Sequence, residues 1–189
     1  MLSPRDLPNM LTVLRMFMVA PLVYLLLTGR YPAALALAVI AGLSDWLDGA
    51  LARHFGWQSR FGGMLDPLAD KLLLVAVYAT LVWLGELPWW LFVLAVVRDL
   101  VIVIGGYVYH KVFEPFQPEP TRLSKFNTVC QIALMWAVLI RLAGLGLPAM
   151  MVDGLILLVA LTLVSTLLQY LLIYSLRARD ITARRSSRS

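Results

Sequence analysis

The sequence predicts an all-α membrane protein with six transmembrane helices and both termini in the cytoplasm, and three observations predict it. Of its 189 residues 61% are hydrophobic, and the mean hydropathy is +0.82; a soluble domain runs at roughly 45–50% apolar. The excess is gathered into runs long enough to cross a bilayer, which takes about 20 residues each. Glycines and prolines separate the runs, and the basic residues collect on alternate connections.

The first helix is expected over 8–28, closed by Gly29 and Pro32. Its apolar run is too long for a signal peptide and no A-x-A site follows it, so it reads as a permanent span. The second, 31–53, passes from AVIAGL into an acidic stretch. The third, 63–85, is opened by Gly62 and Gly63. Gly85 and Pro88 separate it from the fourth, 88–110, whose Trp89 and Trp90 read as an interfacial aromatic anchor rather than a binding pair. The segment HKVFEPFQPEPTR, 110–122, is the longest polar connection, and its three prolines deny it a regular helix. The fifth helix, 123–146, is closed by Gly146 and Pro148. The sixth, 149–176, leads into the basic tail RARDITARRSSRS, 177–189. These elements form one membrane domain over 1–189, without an internal repeat.

An even number of spans puts both termini on one side. Arg5, Arg53, Arg60, Lys111, Arg122, Lys125 and the tail arginines fall on that side; Arg30 and Arg141 fall on the other. The asymmetry makes the termini and the connection between helices two and three cytoplasmic. The net charge of +5 is therefore a topology signal, and no nucleic-acid partner is expected. The tail is expected to orient the chain and touch anionic lipid headgroups. Cys130, the one cysteine, is expected to be a buried, inert thiol.

Against this background SDWLDGALARHFGWQSRFGGMLDPLADK, residues 44–71, needs a reason, because a carboxylate in hydrocarbon is costly. Asp45 and Asp48 are three apart, Asp66 and Asp70 four apart, so each pair shares a helix face. On antiparallel neighbouring helices the two pairs can meet near the cytoplasmic end. With the helix ending near Arg53, Asp48 and Asp45 lie about 8 Å and about 12 Å inside that end, within reach of water. Four convergent carboxylates repel one another unless cations neutralise them, and hard oxygen ligands select Mg²⁺, Mn²⁺ or Ca²⁺. His54 and His110 have no ligand-spaced partner, which argues against zinc. Two divalent ions about 4 Å apart suit phosphoryl transfer. Gly49 and Ala52 leave room for a ligand, and Arg53 can fork onto phosphate oxygens. Taken singly, these three would read as packing residues and a membrane anchor.

The pattern Asp45-x-x-Asp48-Gly49-x-x-Ala52-Arg53, eight residues, Gly62-x-x-x-Asp66-x-x-x-Asp70 resembles the signature of the CDP-alcohol phosphatidyltransferases. The likeness extends to the six-helix plan and to the opening PNMLTVLR, with Asn9, Thr12 and Arg15. It implies a CDP-diacylglycerol donor whose diphosphate sits on two Mg²⁺ (or Mn²⁺) ions held by Asp45, Asp48, Asp66 and Asp70. Gly49, Ala52, Arg53, Arg60 and Gly62, with Asn9, Thr12, Arg15 and Asp45, would line the donor site. Asp70 would be the general base; that Asp70 rather than Asp66 has this role comes from the resemblance alone. A homodimer in the bacterial inner (plasma) membrane, its site facing the cytoplasm, is likewise implied.

Arg98 and Asp99 in helix four, with Lys125 and Asn127 opening helix five, are candidate acceptor-binding residues. The structural alternative is that Arg98 pairs with a carboxylate on another helix. Arg98-Asp99, Ser124-Lys125-x-Asn127-Thr128 and LDPLADK, 65–71, resemble the CMP-forming cardiolipin synthases, which use phosphatidylglycerol. Members using glycerol 3-phosphate to make phosphatidylglycerol phosphate resemble one another in a lysine where this chain has Asn127. One positive charge fewer suits a monoanionic diester acceptor. Cardiolipin synthases of the phospholipase-D type need H-x-K motifs, which are absent. A cation-coupled transporter is the competing class, but the aspartates cluster on one hairpin and no half is repeated.

Overall fold

In hydrocarbon every backbone N–H and C=O must be paired within the protein, and an apolar chain does this most simply as helix. The computed structural model describes the backbone over residues 7–55, 60–112 and 121–186, and side chains over 12–45, 47, 69–107 and 121–176. The described residues form six helices and no strand: α1 Leu7–Leu27, α2 Tyr31–Phe55, α3 Arg60–Trp83, α4 Trp89–Val112, α5 Arg122–Leu142 and α6 Ala149–Ser186. Among them, Trp89–Tyr107, Arg122–Leu142 and Ala149–Leu176 are long and apolar enough to cross a membrane, and Thr12–Leu27 and Tyr31–Asp45 are shorter apolar stretches.

The connections α1–α2 and α3–α4 turn where glycine permits it. Gly29 and Gly85 take φ of 70° and 77°, a left-handed region costly for other residues. Three expected boundaries are corrected. Gly62 and Gly63 lie inside α3, which begins at Arg60. The fifth helix ends at Leu142, because Gly144, with φ of 78°, reverses the chain before Gly146 does. The sixth continues to Ser186, ten residues past its expected end, because RARDITARRS contains neither glycine nor proline. Residues 113–120 of the expected proline-rich connection lie outside the described residues.

The chain forms two compact units. The first is Met1–Leu87 with Met135–Ala149, and in it α1 packs against both α2 and α3. Ala34, Ala38 and Ala41 make a buried small-residue stripe on α2, which lets helix backbones approach closely. Arg141 at the end of α5 bonds Glu86 in the α3–α4 connection. The second unit is Pro88–Leu134 with Met150–Ser189. Its core includes Leu91, Ala95, Leu134, Val152, Val159 and Leu163, and Cys130 is buried there as expected. Trp89 and Trp90 are exposed.

Tyr174 of α6 donates from its hydroxyl to the Ile102 carbonyl at 3.0 Å, and its ring covers Gly105 more closely than any Cβ would permit. Gly105→Val must displace that ring and should cost about 1–3 kcal/mol, read as a lower thermal midpoint in detergent.

Candidate functional site

Burial on α1 recurs at Thr12, Arg15, Val19, Leu22 and Leu26, steps of three and four that define one helix face. Val13, Leu14, Phe17, Tyr24 and Leu27 point outward, the apolar exterior expected of a helix facing lipid. The stripe is apolar at one end and polar at the other, so the packing that seats Leu22 and Leu26 also fixes Arg15. Arg15 is 2% exposed, and its Nη1 lies 2.7 Å from Asp45 Oδ1 on α2 and 2.7 Å from Asp70 Oδ1 on α3.

One guanidinium nitrogen thus ties carboxylates from two helices to a third. A buried cation without a partner would be strongly destabilising, and two carboxylates at one point would repel; the bridge answers both costs. The carboxylates remain half exposed, at 47% and 54%. They present hard oxygens that converge on positive charge, the donor type that suits Mg²⁺ or Mn²⁺. Among the described residues no group of three or more His, Cys, Asp or Glu is placed to hold a metal. The expected set has four members, and the side chains of Asp48 and Asp66 lie outside the described residues.

Thr12 is buried one turn before Arg15 on the same face. Asn9, Gly49, Ala52, Arg53, Arg60 and Gly62 have described backbone, but nothing of their side chains is described. The pairing of Arg15 with Asp45 and Asp70 was not anticipated by the sequence, which placed Arg15 among donor-binding residues.

The candidate acceptor residues lie in the second unit. Arg98 is 5% exposed in the buried stripe of α4. Its Nη1 donates to Asp99 Oδ1 at 2.9 Å, its Nη2 to Ser124 Oγ of α5, and its Nε to Thr166 Oγ1 of α6 at 3.3 Å. Among the described residues the carboxylate it meets is its own neighbour's, not one on another helix. Lys125 is exposed. Asn127 is fully buried, with its Oδ1 2.9 Å from Thr162 Oγ1. Thr162 and Thr166 were missed in the sequence; their only mark there is that of hydroxyl residues in the apolar run ALTLVST.

The family model described as CDP-alcohol phosphatidyltransferase matches residues 5–179. A probable CMP-forming cardiolipin synthase of Drosophila melanogaster is 34% identical over 182 residues, covering 88% of this chain and 56% of that one. A chloroplastic CDP-diacylglycerol–glycerol-3-phosphate 3-phosphatidyltransferase of Oryza sativa subsp. japonica is 36% identical over 154 residues, covering 72% and 46%. The chain spans about half the length of the curated relatives it matches. Among solved structures, Mycobacterium tuberculosis phosphatidylinositol phosphate synthase with CDP-DAG bound is similar at a TM-score of 0.61. At 22% identity over 88% of this chain and 85% of that one, the likeness is one of fold.

Proposed function

The chain belongs to the CDP-alcohol phosphatidyltransferase family, and from that premise we propose that it transfers a phosphatidyl group from CDP-diacylglycerol to a hydroxyl acceptor, releasing CMP. The observation that carries this reading is the meeting of Asp45 and Asp70 at Arg15. The acceptor is phosphatidylglycerol and the product cardiolipin. The enzyme works as a homodimer in the bacterial inner membrane, all six helices spanning it, with the termini and acidic hairpin facing the cytoplasm. The basic asymmetry of the connections and the apolar helices support that placement.

Asp45, Asp48, Asp66 and Asp70 would hold two Mg²⁺ or Mn²⁺ ions, with Arg15 keeping the carboxylates of two helices together. When bound, the ions would neutralise the donor diphosphate and the charge that develops on departing CMP. Arg53 and Arg60 lie on the helices that carry the aspartates and add charge-assisted donors for phosphate oxygens. Asn9, Thr12, Gly49, Ala52 and Gly62 complete the donor side. Asp70 takes the acceptor's hydroxyl proton as that oxygen attacks the lipid-bearing phosphorus. The new P–O bond replaces the one to CMP, which leaves with the electron pair. In the second unit Asp99 and Lys125 are the acceptor-facing groups: a carboxylate for glycerol hydroxyls, an ammonium for the phosphodiester. Arg98 and Asn127 support them from the interior.

Asn127 favours phosphatidylglycerol because an uncharged amide fills a position where a lysine would favour a dianionic phosphate monoester. The likeness to the Oryza sativa enzyme favours a second reading, with glycerol 3-phosphate as acceptor. Purified protein given CDP-diacylglycerol and a panel of acceptors should release CMP with phosphatidylglycerol, form cardiolipin by mass spectrometry, and stop on chelation of divalent ions. Turnover with glycerol 3-phosphate alone would select the second reading, and turnover that survives chelation would refute the metal set.

A further inference from the structure

We propose that Thr162 and Thr166 of α6 are positioning residues for the acceptor side, acting through Asn127 and Arg98; this rests on the acceptor reading above. The two threonines are one turn apart on the buried face of α6, between Val159 and Tyr170. Thr166 Oγ1 lies 2.8 Å from the Thr162 carbonyl and 2.9 Å from that of Leu163. Its one proton goes to a carbonyl of its own helix, which leaves the oxygen to accept from Arg98 Nε. Helix geometry therefore orients an acceptor for a guanidinium on another helix.

That orientation matters because of what Arg98 holds in turn. Its Nη1 reaches Asp99, whose side chain is 22% exposed, while the Arg98 side chain is 7% exposed. Adjacent residues on a helix point in different directions, so the pair meets only while the long arginine side chain is held in one rotamer. Thr166 from one side and Ser124 from the other hold it. Thr162 meets Asn127 with the opposite polarity: its Oγ1 lies 2.9 Å from Asn127 Oδ1 and 3.0 Å from the Val159 carbonyl, so its one proton is shared between the amide oxygen and its own helix. Asn127 Nδ2 has no hydrogen-bond partner among the described residues, so this contact is the one that orients the amide. Thr121 extends the seam: its hydroxyl donates to Gln169 Oε1 at 3.0 Å and accepts from the Ser124 N–H at 3.1 Å.

A purely structural hydroxyl would affect both substrates alike. A positioning hydroxyl affects the acceptor. In full-length purified enzyme, Thr166→Val should raise the KM for phosphatidylglycerol about tenfold or more, the loss expected when a buried hydrogen bond to a charged group is removed. The KM for CDP-diacylglycerol should stay unchanged, and Thr166→Ser, which restores the oxygen, should match wild type. Thr162→Val should act in the same direction. If Thr166→Val fails to fold, Thr166→Ala, smaller and without the hydroxyl, is read by the same criteria. The inference is overturned if both KM values move together, if serine fails to rescue, or if valine changes nothing. A wild-type enzyme that releases no CMP from any acceptor would refute the proposed function itself, and this inference with it. Acceptor use by Arg98→Lys at an unchanged KM would refute the acceptor reading, and this inference with it, while leaving the transferase function standing.

Discussion

Asp70→Asn is expected to lower kcat for CMP release by about 10²–10⁴-fold, the contribution of a positioned general base. The substitution preserves volume and leaves the buried neighbours of α3, Ala69, Val77 and Leu81, untouched. The carboxylate is half exposed, so losing its charge beside Arg15 should cost no more than about 1 kcal/mol of stability. Thermal unfolding in the assay detergent tests that side of the expectation. Asp45→Asn is the necessary companion, because under the proposed metal set it removes a ligand carboxylate without removing the proposed base. Raised Mg²⁺ should restore part of the rate to Asp45→Asn and little to Asp70→Asn. Equal recovery of both would mean that Asp70 is a ligand and nothing more.

Arg15→Gln should cut activity about 10–100-fold, the usual consequence of losing a group that orients metal-binding side chains. Glutamine is shorter and uncharged, so it cannot reach carboxylates on two helices. Two effects oppose each other. Removing a cation lessens repulsion of an incoming divalent ion, whereas releasing Asp45 and Asp70 lets like charges on separate helices swing toward water. Both carboxylates are already half exposed, so the second effect should dominate. The checkable result is a Mg²⁺ titration of CMP release, with the midpoint shifted upward in Arg15→Gln and less so in Arg15→Lys, which keeps the charge but loses the fork. A midpoint shifted downward would make Arg15 a competitor of the ions rather than a brace for their ligands.

Much of the helical plan was legible because hydrocarbon leaves the backbone few alternatives. Gly29 and Gly85 mark real turns, since each adopts a conformation that side chains resist. Gly62 and Gly63 misled: both are helical inside α3, because a weak helix former lowers the stability of a helix without ending it. The end of α6 was misplaced because falling hydrophobicity marks a membrane border, not a helix end. At the site, the spacings of Asp45 from Asp48 and of Asp66 from Asp70 were enough to nominate all four. Arg15's partners were not readable, because a bridge among three helices depends on their relative rotation and appears in no single segment. Thr162 and Thr166 were hidden for another reason. A hydroxyl in a helix can satisfy itself on a carbonyl of the preceding turn, so its residue type says nothing of a second partner.

The face of α1 that runs from Leu26 to Arg15 makes that helix a ruler, graduated at about 1.5 Å per residue. Its greasy end sets the zero mark and its cationic end takes the reading. A residue gained or lost between them would turn one end by about a quarter-circle relative to the other, since 3.6 residues complete a turn. Seating and chemistry are inscribed on the same rod, so neither can be recalibrated alone.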